Sequence, residues 1–151
     1  AEVPEDAVAY AAEAALQGAA TGDRIFLVDP FGWVIADVVL AAPVEEARIT
    51  ASVEQADGID GVDRLWSFEV EGAPIDGTLS LYYRNLPPPF ENWAPEVDAI
   101  GSQRELVVAL VGADGEAAPL ASEANPYANR VRAETTLHGR QRFVLQRQLA
   151  P

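Results

Sequence analysis

The segment from Arg64 to Arg84, RLWSFEVEGAPIDGTLSLYYR, constrains the fold more than any other part of the chain. On both sides of its centre, apolar residues alternate with polar ones, and a period of two is typical of strands with one buried face. The central residues 72–77, GAPIDG, favour a turn. We therefore predict a β-hairpin that buries one row of side chains: Trp66, Phe68, Val70, Leu79, Leu81 and Tyr83.

Further strands are predicted on both sides of this segment. Asp23 to Ala42 contains two apolar runs around an Asp-Pro-Phe-Gly turn, which predicts a hairpin. Extended structure continues from Val38 to Thr50 with a break at Pro43, because proline lacks the N–H that a strand donates. Residues 104–111, RELVVALV, are apolar on both faces from Leu106 onward and predict an interior strand.

The C-terminal part predicts a loop followed by a second hairpin. Residues 117–129 show no periodic pattern and are expected to form the loop. Residues 130–137 and 140–149 alternate as strands do, and His138-Gly139 between them fits a two-residue turn. The inward side chains of this hairpin are predicted to be Val131, Ala133, Leu137, Phe143, Leu145 and Leu149.

The N-terminal segment, residues 1–22, predicts an amphipathic helix. Its acids at Glu5 and Asp6 suit the positive end of a helix dipole, and Gly22 can terminate the helix. The apolar residues that fall near one helical face are Val8, Ala12, Ala15, Leu16 and Ala19. We therefore predict a single domain, 1–151, that is mainly β: one N-terminal α-helix followed by a β domain over 23–151, built as a partly open β-barrel or a sandwich.

Composition limits the classes of partner. The chain has 151 residues, of which 49% are hydrophobic, and its longest apolar run, residues 33–44, is interrupted by Asp37 and is too short to span a bilayer. A net charge of −14 argues against nucleic acid or an anionic membrane as partner. Ala1 could follow signal cleavage or methionine removal. We predict a periplasmic or secreted bacterial protein, with a cytoplasmic location as the alternative.

The charge is unevenly distributed along the chain. Residues 127–151 contain five arginines and one acid, a net charge of +4, so the first 126 residues carry −18. The basic segment can pair with acidic strands of its own sheet, or it can form a binding strip for an anion or an acidic polymer.

Aromatic residues and prolines cluster after the central segment, within Tyr82 to Pro95. Three consecutive prolines favour polyproline II and keep this stretch out of a central strand. Rigid aromatic rings lose little entropy on binding, so the stretch can form a platform for a sugar, a peptide or another subunit. It can equally fold its aromatic side chains over one end of a barrel. The candidate ligand-binding residues are Tyr82, Tyr83, Arg84, Phe90 and Trp93.

An aspartate-glycine loop precedes the central segment. Asp57, Asp60 and Asp63 recur at every third position with two glycines between them, and such a loop can supply oxygen ligands to calcium. The spacing does not match an EF-hand, and an ordinary solvated turn is the alternative. Calcium is the one cofactor that the sequence suggests.

The order of strand-forming segments resembles that of the netrin-like modules related to the tissue inhibitors of metalloproteinases, whose core is an OB-type barrel. The positions that carry the resemblance are Ala36, Asp37, Val38, Phe68, Val70, Gly72, Gly77, Leu79, Leu81, Gly101, Leu106, Val108 and Leu110. They cover about half of the chain. That family is usually rich in cysteine and this chain has none. The resemblance therefore implies a barrel and nothing about protease inhibition.

No catalytic residue is predicted. The single histidine, His138, lies in a predicted turn, and the chain lacks both a phosphate-binding glycine loop with lysine and a nucleophile elbow. We expect a non-catalytic binding module that engages a ligand or protein partner through the Tyr82 to Trp93 region. Two alternatives remain: a small metal-free barrel enzyme of the cyclase or isomerase type with an aromatic-lined pocket, and a self-assembling structural subunit that forms homo-oligomers.

Overall fold

The fold is mainly β, as the sequence predicts. A computed structural model describes residues 12–28, 34–55, 64–82, 106–125 and 130–147. About 85% of these residues lie in strands and none lies in a helix. The strands are β1 Ala12–Ala19, β2 Arg24–Val28, β3 Val34–Leu40, β4 Val44–Gln55, β5 Arg64–Tyr82, β6 Leu106–Val111, β7 Ala117–Pro119, β8 Ser122–Asn125 and β9 Arg130–Arg147.

The two longest strands, β5 and β9, form the centre of the sheet, and both predicted hairpins at these positions are wrong. Each segment instead continues as one strand, and the two pair antiparallel along almost their whole length. The register shifts between Val70 and Ile75, which pair with Gly139 and Leu137. The residues expected to turn the chain therefore form a bulge that bends both strands.

Pairing on either side of the bend divides the sheet into two half-sheets. In the first, the strand order is β1, β4, the part of β5 before the bend, the part of β9 after it, β6 and β7. In the second, β2 pairs with β3, β3 with the remainder of β5, and the start of β9 with β8. Core residues of the two half-sheets, such as Ile49 in the first and Leu79 in the second, belong to one hydrophobic cluster. The sheet is not closed.

The predicted N-terminal helix is wrong over the described residues, since Ala12–Ala19 is strand β1, paired with β4. Residues 1–11 lie outside the described part. Ala12 and Leu16, which are both buried, are four residues apart. That spacing places two side chains on one face of either a helix or a strand. Pairing with a neighbouring strand outweighs the helix preference of alanine here.

The buried face of β5 is as predicted. Trp66, Phe68 and Val70 are buried before the bend and Leu79 and Leu81 after it, whereas Tyr83 lies outside the described residues. The Trp66 indole N–H donates to the main-chain carbonyl of Ile35 at 3.2 Å, which joins the two half-sheets. The rings of Phe68 and Phe143 meet edge to face, with centroids 5.5 Å apart. These contacts place the largest side chains at the centre of the core.

Other strand predictions are confirmed in part. The hairpin of β2 and β3 and the break at Pro43 are both present, although the turn at 29–33 lies outside the described residues. Strand β6 is buried on both faces, because Ala109 and Val111 join a second small cluster with Leu65 and Val144. The predicted loop at 117–129 is wrong in its described part, which contains the short strands β7 and β8.

Basic side chains of β9 lie near acids of neighbouring strands. Arg132 contacts Glu123 of β8 at 2.9 Å, and Arg140 approaches Glu69 of β5 at 3.7 Å. The inward residues predicted for this segment are buried, apart from Leu149, which lies outside the described residues. In the described residues, no helix is long and apolar enough to cross a membrane.

Candidate functional site

A fully buried acid, Asp37, lies on the outer face of the second half-sheet. Its neighbours in β3, Ala36 and Val38, both belong to the core, so the alternation of the strand directs Asp37 to the opposite face. Its exposed fraction is 0%. Its partner on β5 is Ser80, which is also buried. A buried carboxylate needs compensating charge and hydrogen bonds, so its neighbours define the site.

Two side chains from neighbouring strands bind the same oxygen of Asp37. The Tyr82 hydroxyl donates to Oδ2 at 2.5 Å, and the Arg24 guanidinium donates to Oδ2 at 2.9 Å. Arg24 also lies 3.3 Å from the Tyr82 oxygen, and its guanidinium stands 5.1 Å from the centre of the exposed Phe26 ring. Strands β2, β3 and β5 are thereby linked through one carboxylate oxygen.

Burial and these contacts shift two protonation equilibria. The pKa of Tyr82 is raised above its usual 10.0, because burial disfavours the phenolate and because the hydroxyl donates to Asp37. The pKa of Arg24 is raised as well, first by its hydrogen bond to Asp37. Both side chains are therefore held in their protonated forms.

A second arginine, Arg130 of β9, completes the group, which we call the Tyr82 cluster: Arg24, Asp37, Tyr82 and Arg130. Nη1 of Arg130 lies 3.5 Å from the Tyr82 oxygen. Two buried atoms of the cluster, Arg130 Nε and Asp37 Oδ1, have no hydrogen-bond partner among the described residues. The cluster thus contains one buried donor and one buried acceptor that are unsatisfied among the described residues, with two cations around a single anion.

Of the predicted ligand-binding residues, Tyr82 alone lies within the described part of the chain, and it belongs to this cluster. Tyr83, Arg84, Phe90 and Trp93 lie outside the described residues. Arg24, Asp37 and Arg130 are not among the ligand-binding residues predicted from the sequence. The interruption of an apolar run by a single acid was the available signal for Asp37.

The predicted calcium ligands Asp57, Asp60 and Asp63 also lie outside the described residues, so a calcium site stays a prediction. Among the residues that the structure does describe, no group of three acidic or histidine side chains could hold a metal ion. His138 lies exposed within β9 rather than in a turn, and its main-chain N–H donates to the Gln141 side chain at 3.0 Å.

A groove of about 840 Å³ lies on the first half-sheet, lined by residues of β4, β5, β6 and β9 and by the two residues that follow β6. No member of the Tyr82 cluster lines it. The described residues therefore form two separate polar features, one on each half-sheet.

Comparison of the chain with protein-family models, with curated proteins and with solved structures gives no match. The resemblance to netrin-like modules stays a prediction.

Proposed function

We propose that this chain is a non-catalytic binding module, exported or located in the cell envelope, that engages a ligand or protein partner beside Tyr82. The observation that supports the proposal is the placement of Arg24 and Arg130 around the Tyr82 hydroxyl, next to a buried carboxylate. Tyr82 also leads, along the chain, directly into the aromatic and proline stretch. In this proposal the ligand contacts are Tyr82, Tyr83, Arg84, Phe90 and Trp93.

The hydrogen bonds of Asp37 favour binding over catalysis. Oδ2 already accepts hydrogen bonds from a phenol and from a guanidinium, so it is poorly placed to take a proton from a substrate. Arg24 and Arg130 together outweigh the single carboxylate by one positive charge. In a chain of net charge −14, this local excess favours a partner that presents carboxylates or carbonyl oxygens.

We also propose how the two half-sheets are arranged around the core. The two half-sheets that share one core form a partly open barrel or a sandwich, and the barrel corresponds to the OB-type core of netrin-like modules. The Tyr82 cluster then lies on the outer wall of this core, where a ligand can reach the part of Arg24 that is exposed.

A thermal-shift experiment tests the proposal with defined probes: citrate, maltotriose, and calcium chloride with an EDTA control. A probe that binds only the folded protein raises the melting temperature. We expect citrate to raise the Tm of the wild-type protein. The rise should be lost in Arg130→Gln and in Trp93→Ala. It should be kept in Arg48→Gln, which makes the same charge change on the other half-sheet.

Three other results of this thermal-shift experiment would contradict or redirect the proposal. A citrate shift that persists unchanged in both Arg130→Gln and Trp93→Ala would contradict the proposed location. A Tm that none of the probes changes would contradict the proposal that this cluster binds a small ligand. A shift with calcium that EDTA reverses would instead support the aspartate loop as the site.

A small metal-free enzyme is the second candidate, because a fully buried acid hydrogen-bonded to a tyrosine is also found where carboxylates act on substrates. Product formation from any binding probe, followed by mass spectrometry and absent in Asp37→Asn, would favour this candidate. Recovery of the probe unchanged would favour the binding module.

Self-assembly into a structural subunit remains the third prediction. Strand β2 carries the exposed side chains Phe26 and Val28, and within the described residues it pairs with β3 alone. An unpaired edge with apolar side chains can associate with another chain. Light scattering over a range of protein concentrations measures this directly, and a constant monomer mass would exclude it.

A further inference from the structure

The groove on the first half-sheet is built on a regular array of polar side chains. Ser52 of β4, Ser67 of β5 and Arg142 of β9 are direct partners across three adjacent strands. Thr50, Glu69 and Arg140 form the next row, two residues along each strand. All six line the groove. Because direct partners on one face have Cβ atoms about 5 Å apart, the two rows form a continuous polar floor.

The two arginines of this array differ in their partners. Arg140 approaches Glu69 at 3.7 Å, whereas Arg142 makes no ion pair or hydrogen bond with the described residues. Three other arginines of the described part, Arg24, Arg48 and Arg132, each contact an acid. Among the described residues, Arg142 is therefore an exposed cation in the groove without an acidic partner, although the chain as a whole has more than twice as many acids as bases.

The chemistry of the floor limits the ligand class. A guanidinium binds a carboxylate through two parallel hydrogen bonds. The hydroxyls of Thr50, Ser52 and Ser67 can donate and accept, and Glu69 can accept from ligand hydroxyls. Three hydroxyls beside a single unpaired cation match a ligand with more hydroxyl groups than charges. A groove of about 840 Å³ also exceeds what a single small ion would fill.

We propose that this groove binds an acidic saccharide, with its carboxylate on Arg142 and its ring hydroxyls on Thr50, Ser52, Ser67 and Glu69. The site is independent of the Tyr82 cluster, since none of these residues belongs to that cluster. A negatively charged protein repels anions in general, so Arg142 supplies the local attraction that selects an acidic sugar.

Isothermal titration calorimetry at constant ionic strength tests the proposal with three probes: trigalacturonic acid, maltotriose and inorganic phosphate. We expect wild-type protein to bind trigalacturonic acid, and Arg142→Gln to bind it at least about tenfold more weakly, the effect of losing a charge-assisted hydrogen bond. Ser52→Ala combined with Ser67→Ala should also weaken binding. Arg132→Gln removes the positive charge of another exposed arginine of β9, which pairs with Glu123 outside the groove, and should leave the affinity unchanged.

Each other result overturns the proposal. Equal affinity for maltotriose would show that the carboxylate is not recognised, and binding of phosphate alone would show a simple anion site. Absence of binding by all three probes would reject the saccharide. Equal loss in Arg142→Gln and Arg132→Gln would show general electrostatic attraction rather than a built site. Because Tyr82→Phe should not affect trigalacturonic acid binding, this test is separate from that of the proposed function.

Discussion

The hydroxyl of Tyr82 lies 2.5 Å from Oδ2 of Asp37, and this hydrogen bond joins the end of β5 to the middle of β3 on the outer face of the second half-sheet. Asp37 is fully buried, so the hydroxyl satisfies part of a carboxylate that water does not reach. The contact links fold and site, because the residue that compensates the buried acid is also the first residue of the proposed binding region.

Tyr82→Phe should therefore destabilise the protein. We expect a loss of about 1–3 kcal/mol in the free energy of unfolding, because the buried carboxylate loses one of its donors. Urea denaturation measures this loss. Thr136→Val is a matched control, since the Thr136 hydroxyl also lies 2.5 Å from a carboxylate, that of Asp76, but is exposed. An equal loss of unfolding free energy in the two variants would show that burial of Asp37 does not strengthen its hydrogen bond with Tyr82.

The raised pKa of Tyr82 predicts a loss of stability at high pH. The folded state holds the phenolic proton more tightly than the unfolded state, whose tyrosines titrate near pH 10. The stability that Tyr82 contributes in this way is fully present below about pH 10 and is lost as the pH rises through the pKa of Tyr82 in the folded state. Tm measured from pH 8 to pH 11 should fall more steeply for the wild type than for Tyr82→Phe. Identical pH profiles would contradict the assignment.

The bend of β5 and β9 predicts unequal effects at two glycines. Gly72 has φ +100° and Gly139 has φ +56°, both in the left-handed region. A Cβ at Gly72 would also lie 2.9 Å from the carbonyl oxygen of Glu46, whereas at Gly139 it would have no neighbour within 4 Å. We expect Gly139→Ala to lower the free energy of unfolding by about 1–2 kcal/mol and Gly72→Ala to lower it by about 2–4 kcal/mol. Urea denaturation of both variants checks the order, and equal costs would contradict the close approach.

The edge-to-face contact of Phe68 and Phe143 predicts energetic coupling across the central ladder. Their rings are 5.5 Å apart at 79°, and both side chains are buried. A double-mutant cycle with Phe68→Leu and Phe143→Leu should give a coupling of about 0.5–1.5 kcal/mol. Strict additivity of the phenylalanine pair would show that the ring contact contributes nothing specific.

The failed predictions share one physical cause. The sequence GAPIDG in β5 and His138-Gly139 in β9 carry the glycine and proline that a tight turn needs, but a bulge uses the same residues. β5 and β9 each continue as a single strand because they pair with each other on both sides of the bend. Likewise, the Ala12 to Leu16 spacing suits a helix or a strand, and pairing with β4 decides between them.

The sequence by itself determined the strand character of the segments that form β2 to β6 and β9, and which of their side chains face the core, because a period of two follows from local backbone geometry. Trp66, Phe68, Leu79 and Phe143 were all placed correctly on that basis. Only the tertiary structure decided where the chain turns and which polar groups meet. Asp37 accepts hydrogen bonds from Arg24, thirteen residues away in the sequence, and from Tyr82, forty-five residues away. Such partners are set by strand pairing between distant segments, which no local pattern encodes.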